Sequence, residues 1–370
     1  MPLWDSLTQL FQRDAQHLDR PVLPGDHVFP APADTEAVAA GESYFQLWVV
    51  EMFLASDRDW FKSWYPVVQS LTTFRFGNQP NPIDIAQVAG PGYLRNIDPN
   101  HLDRTVQVDF PLTPLVPFSG GTVQVEAGLV AMQGSDTLRR FLDVMGNFAG
   151  LLAVPQLSTA LSVANAVTRG VEQLLGASDR QMVLGFQRTY ESAGGGGDNA
   201  LRAGYVAIFR APGGTYPSNR LWVKDSRLLY GSDVATATPV TGVDYMLLRI
   251  ETRKHRDDWD ALTTIQDPFS RAINALNQLD ANGNVDVANA DAYIRTAVVA
   301  ALNSPDLAAR DRAQVARAIR DRYAEYKAAV VGERGLELPV PPTIGDVARS
   351  AQALPATPVT VGELFPNENP

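Results

Sequence analysis

The chain contains no cysteine. That excludes disulfide cross-links, thiol nucleophiles, iron–sulfur clusters and cysteine-ligated zinc. Histidine is nearly as scarce: His17, His27, His101 and His255 are the only four, and no two stand at a metal-ligand spacing. Positive charge is in deficit. Against 41 acidic residues there are 31 basic ones, a net charge of −10, which opposes generic affinity for nucleic-acid backbones and anionic membranes. Lysine is rare within the basic set (Lys62, Lys224, Lys254 and Lys327), an arginine bias that fits coding by a GC-rich bacterial genome. No run reaches the roughly 18 strongly apolar residues of a spanning helix. In the opening MPLWDSLTQLFQRDAQHLDR, Asp5 precedes any basic residue and no apolar run follows. That is unlike a secretory signal, so the expected compartment is the cytoplasm. Neither phosphate-binding glycine pattern stands between a strand and a helix, and no G-x-S-x-G elbow accompanies a histidine.

What is present is an ordinary globular composition, 45% apolar over 370 residues, enough for two or three domains. Residues 1–41 read as an amphipathic helix and a proline-rich arm (Pro21, Pro24, Pro30, Pro32). From Tyr44 the pattern turns to strands. YFQLWVVEMFL (44–54) is apolar at both alternating sets, the mark of a strand covered on both faces. Further strands are expected at 67–76, 105–110, 122–132, 181–190, 203–210, 220–230 and 243–253, with an irregular Gly/Pro/Asn-rich connection over 77–104. A helical hairpin over 135–178, kinked at Pro155, interrupts them. Helices follow at 259–279, 291–302 and 306–331. Seven prolines after residue 336 predict an extended tail. The expected fold class is therefore α+β. An antiparallel β-sandwich-like domain (42–254) carries the helical insertion, a helical region (255–332) follows, and a proline-rich tail (333–370) ends the chain.

Five constellations stand out. Eight aromatics crowd 44–65; most belong to a core strand, but Trp60, Phe61, Trp64 and Tyr65 are interrupted by charge and form the candidate partner surface. Val144–Thr168 contains no charged residue in 25 positions. Phe148, Leu151, Leu152, Leu157 and Leu161 are its membrane-insertion candidates, although Asn147, Gln156 and Asn165 are costly in hydrocarbon and favour burial against a sheet. In DANGNVDVANAD, Asp280, Asn282, Asn284 and Asp291 fall at positions 1, 3, 5 and 12 of a calcium loop. The turn position that should be glycine is Val285, so an Asn/Gly turn before a capped helix is the simpler reading, and no metal or other cofactor is assigned. His255 stands beside Asp257 and Asp258, a base among carboxylates, at a strand-to-helix junction where the two aspartates would cap the helix. The helix 306–331 alternates arginines with acids such as Asp306 and Asp311, as a solvated, salt-bridged face does.

These features favour a non-enzymatic binding or structural protein, a subunit or adaptor of a larger assembly whose partners are other protein subunits or its own copies. The alternative is a soluble membrane-active effector that inserts the 135–178 hairpin. A third reading is a hydrolase with a site scattered along the sequence.

Overall fold

The computed structural model describes residues 19–31, 37–55, 58–59, 62–76, 82–90, 105–133, 157, 180–192, 199–256, 258, 262–278, 285–332 and 340–354. It is α+β, with antiparallel sheets followed by helices. The central sheet has the order β10 (Gly204–Phe209), β14 (Tyr245–Arg253), β2 (Tyr44–Phe53), β6 (Thr105–Pro111), and β7 (Val116–Pro117) also pairs with β2. An outer sheet runs β4 (Lys62–Arg75), β8 (Thr122–Gln133), β9 (Arg180–Glu191), with β3 (Arg58–Asp59) and β5 (Ile83–Ala89) on the far edge of β4. A small sheet joins β1 (Val28–Phe29), β11 (Leu221–Lys224), β12 (Arg227–Tyr230) and β13 (Thr238–Pro239).

The central sheet is sandwiched. Phe45, Leu47, Val49 and Met52 of β2 face the outer sheet and share a core with Val68, Phe74, Leu129 and Phe186. Val50 and Phe53 face the other way, against Leu221, Val223 and Leu228 of the small sheet. Burial on both faces accounts for the continuous apolar run of β2. Each fully buried Leu, Val or Phe contributes roughly 1.5–3 kcal/mol.

Four helices close the described chain: α1 (Thr263–Asn277), α2 (Val287–Leu302), α3 (Ala309–Gly332) and α4 (Ile344–Ala353). They form their own core around Phe269, Ile294, Ile319 and Val347.

Several boundaries differ from the sequence reading. The expected strand 220–230 is a hairpin, because Asp225 and Ser226 take left-handed backbone conformations (φ 52° and 60°) and turn the chain. β5 lies inside the stretch read as irregular; its IDIAQVA alternation is hidden between Gly and Pro residues. α4 lies in the tail read as extended. Thr343 and Asp346 form a reciprocal capping box that starts it. Helix α1 begins at Thr263 with Leu262 at its N-cap, so Asp258 does not cap it, and Asp257 lies outside the described residues.

Candidate functional site

The outer face of the central sheet has two covers. At one end, a bulge in β2 sets the small sheet. Both strand registers skip Val50, so Val50 and Glu51 turn to the same side. Glu51 is 2% exposed, and its Oε2 accepts the Leu228 amide at 2.7 Å. Burial pushes its carboxyl up to about 7, opposed by the Leu228 amide, the Tyr245 hydroxyl and the Arg227 charge.

At the other end, Tyr44 docks the helices. Its hydroxyl donates to Asp311 Oδ2 at 2.5 Å and accepts the Ala308 amide at 3.0 Å. His255 Nδ1 stands 3.3 Å from the second Asp311 oxygen. Burial raises the Asp311 carboxyl above its ordinary range, while Tyr44 and His255 pull it down. Arg256 is wholly buried, forks onto both Asp258 oxygens at 2.6 Å and donates to the Asp306 carbonyl. At this strand-to-helix junction Arg256 is buried, while His255 and Asp258 stay partly exposed. Asp306 and Asp311, expected on a solvated helix face, are both 2% exposed because they bond across it. His255 and Asp311 make a base–carboxylate pair where the helices meet the sheet.

Between the covers the sheet is open. Tyr205, Arg249 and Trp48 sit side by side on adjacent strands. The Arg249 guanidinium lies 4.6 Å from the Trp48 ring centre. Glu251 holds Arg249 at 3.6 Å and Arg253 at 2.6 Å. Over this row is a cavity of about 540 Å³, walled by Phe29 and Pro30 of the arm and by the Asp225–Ser226 turn. His27 fixes the arm by stacking on Trp222 at 3.7 Å and donating Nδ1–H to the Leu221 carbonyl at 2.8 Å. A second cavity of about 250 Å³ opens between β9 and β10 and shares Val28, Ala203, Gly204, Tyr205 and Ile250 with the first. Phe29 (40% exposed) stands on the wall of the first and Val22 (48%) on that of the second.

The residues singled out in the sequence go elsewhere. Trp60 and Phe61 lie outside the described residues. Trp64 packs partly buried on the sandwich core, and Tyr65 is buried. Phe148, Leu151, Leu152 and Leu161 lie outside the described residues, as do Asp280, Asn282 and Asn284. Leu157 is buried in the sandwich core, and its amide donates to Asp306. No helix among the described residues is long and apolar enough to cross a membrane. Asp291 lies within α2 and is held by Lys327 at 2.8 Å and the Tyr323 hydroxyl at 2.5 Å. Among the described residues no three acidic or histidine side chains gather as a metal set. The cavity over Trp48 went unread because its walls come from five separated segments, 28–31, 48, 203–205, 225–226 and 249–253.

No family model, curated protein or solved structure matches the chain.

Proposed function

We propose that this is a non-enzymatic binding protein whose recognition site is the groove over Trp48 and Arg249. The observation that carries this reading is the cavity of about 540 Å³ over Trp48 and Arg249, with the exposed Phe29 on its wall. A concave, mostly apolar site with a few fixed polar groups is the usual form of a ligand pocket. Glu51 and Asp311, whose carboxyls burial raises, line neither cavity, which favours binding over acid–base chemistry. Titration with the neutral fluorophore N-phenyl-1-naphthylamine tests the site. One saturable site is expected, weakened about tenfold by Trp48→Ala through lost stacking area. Fluorescence that ignores both Trp48→Ala and Phe29→Ser would remove the groove as the site.

The same reading makes the protein a subunit or adaptor of a larger assembly. Val299 of α2 and Val331 of α3, each nearly half exposed, support a second contact surface on the helices. Light scattering on the purified chain is expected to give a defined oligomer. A monomer at all concentrations, with no co-purifying partner, would speak against it.

A further inference from the structure

Three aromatic side chains line the cavity over Trp48 and Arg249: Phe29 of the arm, Trp48 of β2 and Tyr205 of β10. Its charge is balanced. Among the described lining residues, Arg249 and Arg253 are matched by Glu251 and Asp225. None of the four is idle: Glu251 holds both arginines, Asp109 stands 3.9 Å from Arg249, and Asp225 is engaged as well. A ligand of either charge would meet like charge beside opposite charge, and would lose its hydration with no net attraction in exchange. Hydrogen bonding is less complete than charge pairing. The two ion pairs of Arg249, at 3.6 and 3.9 Å, are longer than a hydrogen bond. Its Nε–H and the indole N–H of the neighbouring Trp48 are buried with no hydrogen-bond partner. Both groups donate and neither can accept. Buried donors left unpaired are costly, and an acceptor brought by a ligand relieves that cost. The Glu251 carboxylate and the Ser226 hydroxyl add acceptors to the same cavity.

We propose that this cavity binds a neutral saccharide, a pyranose with equatorial hydroxyls. Such a ring has a flat face of C–H groups that can lie on aromatic side chains. Each of its hydroxyls both donates and accepts. A hydroxyl set against Arg249 and Glu251 accepts from the guanidinium and donates to the carboxylate, and the charges stay balanced. Hydrogen bonds to ionised groups are about twice as strong as neutral ones, so paired charges hold an uncharged ligand well. This assignment rests on the cavity being a binding site; it adds the class and the charge of the ligand.

The test compares methyl β-D-glucoside with methyl β-D-glucuronide, which differ only in a carboxylate. Both are titrated onto the full chain at pH 7.5, by calorimetry and by displacement of bound N-phenyl-1-naphthylamine. The glucoside is expected to bind and to displace the dye. The glucuronide should bind about tenfold more weakly, because its charge finds no unmatched partner. Glu251→Gln removes one of the two lining carboxylates and should raise the glucuronide affinity about tenfold, a gain that a misfolded variant would not show. Dye binding that neither glycoside displaces would overturn the saccharide assignment and leave the cavity reading standing. Equal affinity for the two glycosides, or a glucuronide affinity unmoved by Glu251→Gln, would overturn the selection of a neutral ligand. Absence of binding by the dye and by both glycosides would overturn the assignment together with the cavity reading.

Discussion

Glu51→Gln should make the protein more stable, and only above neutral pH. Glu51 is buried beneath the small sheet, with its carboxyl raised from 4.5 to about 7. Each unit of difference between folded and unfolded chains is worth 1.36 kcal/mol, so the displacement corresponds to about 3 kcal/mol. The sign follows from which form the fold tolerates. Below 4.5 the carboxyl is neutral in both states and the fold bears no penalty. Between 4.5 and 7 the unfolded chain loses the proton and the folded chain keeps it, so stability declines as pH rises. Above 7 the full loss is present. Glutamine cannot ionise, and its side-chain oxygen can still accept the Leu228 amide. Urea unfolding of both proteins, followed by circular dichroism from pH 4.5 to 8.5, reads the effect. The variant should match the wild type within about 1 kcal/mol at the acid end, and gain about 3 kcal/mol on it by pH 8.5. Taking the difference between the proteins cancels distant groups such as Asp311. Parallel stability curves across the whole range would refute the reasoning and place the Glu51 carboxyl in contact with water.

Three further substitutions probe other parts of the frame. Tyr44→Phe leaves Asp311 and the Ala308 amide without their shared partner and should cost about 3 kcal/mol; a shift below about 1 kcal/mol in denaturant unfolding would show that the hydroxyl does not tie the helices to the sheet. Thr72→Val replaces a fully buried hydroxyl that has no partner by a methyl of the same shape. It should stabilise by about 1 kcal/mol, and a lower melting temperature would mean that the hydroxyl is satisfied. Thr343→Ala removes the N-cap of α4 and should cost about 1 kcal/mol, read as faster amide exchange confined to residues 344–353; unchanged exchange would show that the helix is held by packing alone.

The legible parts of the fold were those with local causes. The double-sided apolar run of β2 announced two covers, and TVQVDF, expected as a strand over 105–110, is β6. The missed elements also had local signals, but stronger neighbours masked them. β5 is seven alternating residues set among glycines and prolines, and α4 depends on the Thr343/Asp346 box within a proline-rich tail. The Tyr44–Asp311 bond joins residues 267 positions apart, which no periodicity reports. The bulge at Val50 exists only in relation to β14 and β6, so strict alternation would have sent Glu51 into the inter-sheet core.

The groove itself is written into one strand, once its covers are known. The residues of β14 that share the face of the small sheet are Tyr245, Leu247, Arg249, Glu251 and Arg253. The first two belong to the core beneath that sheet; the last three line the cavity. The change from apolar to charged at Arg249 marks where the cover stops. β2 shows the same division: Tyr44 lies under the helices, Val50 and Phe53 lie under the small sheet, and Trp48 stands between them. Trp48 packs partly buried against the edge of the small-sheet core and turns the rest of its surface to the cavity, beside the paired charges of Arg249 and Glu251. Its remaining apolar surface is what a ligand would cover, and the two anchored layers on either side fix the width of the opening.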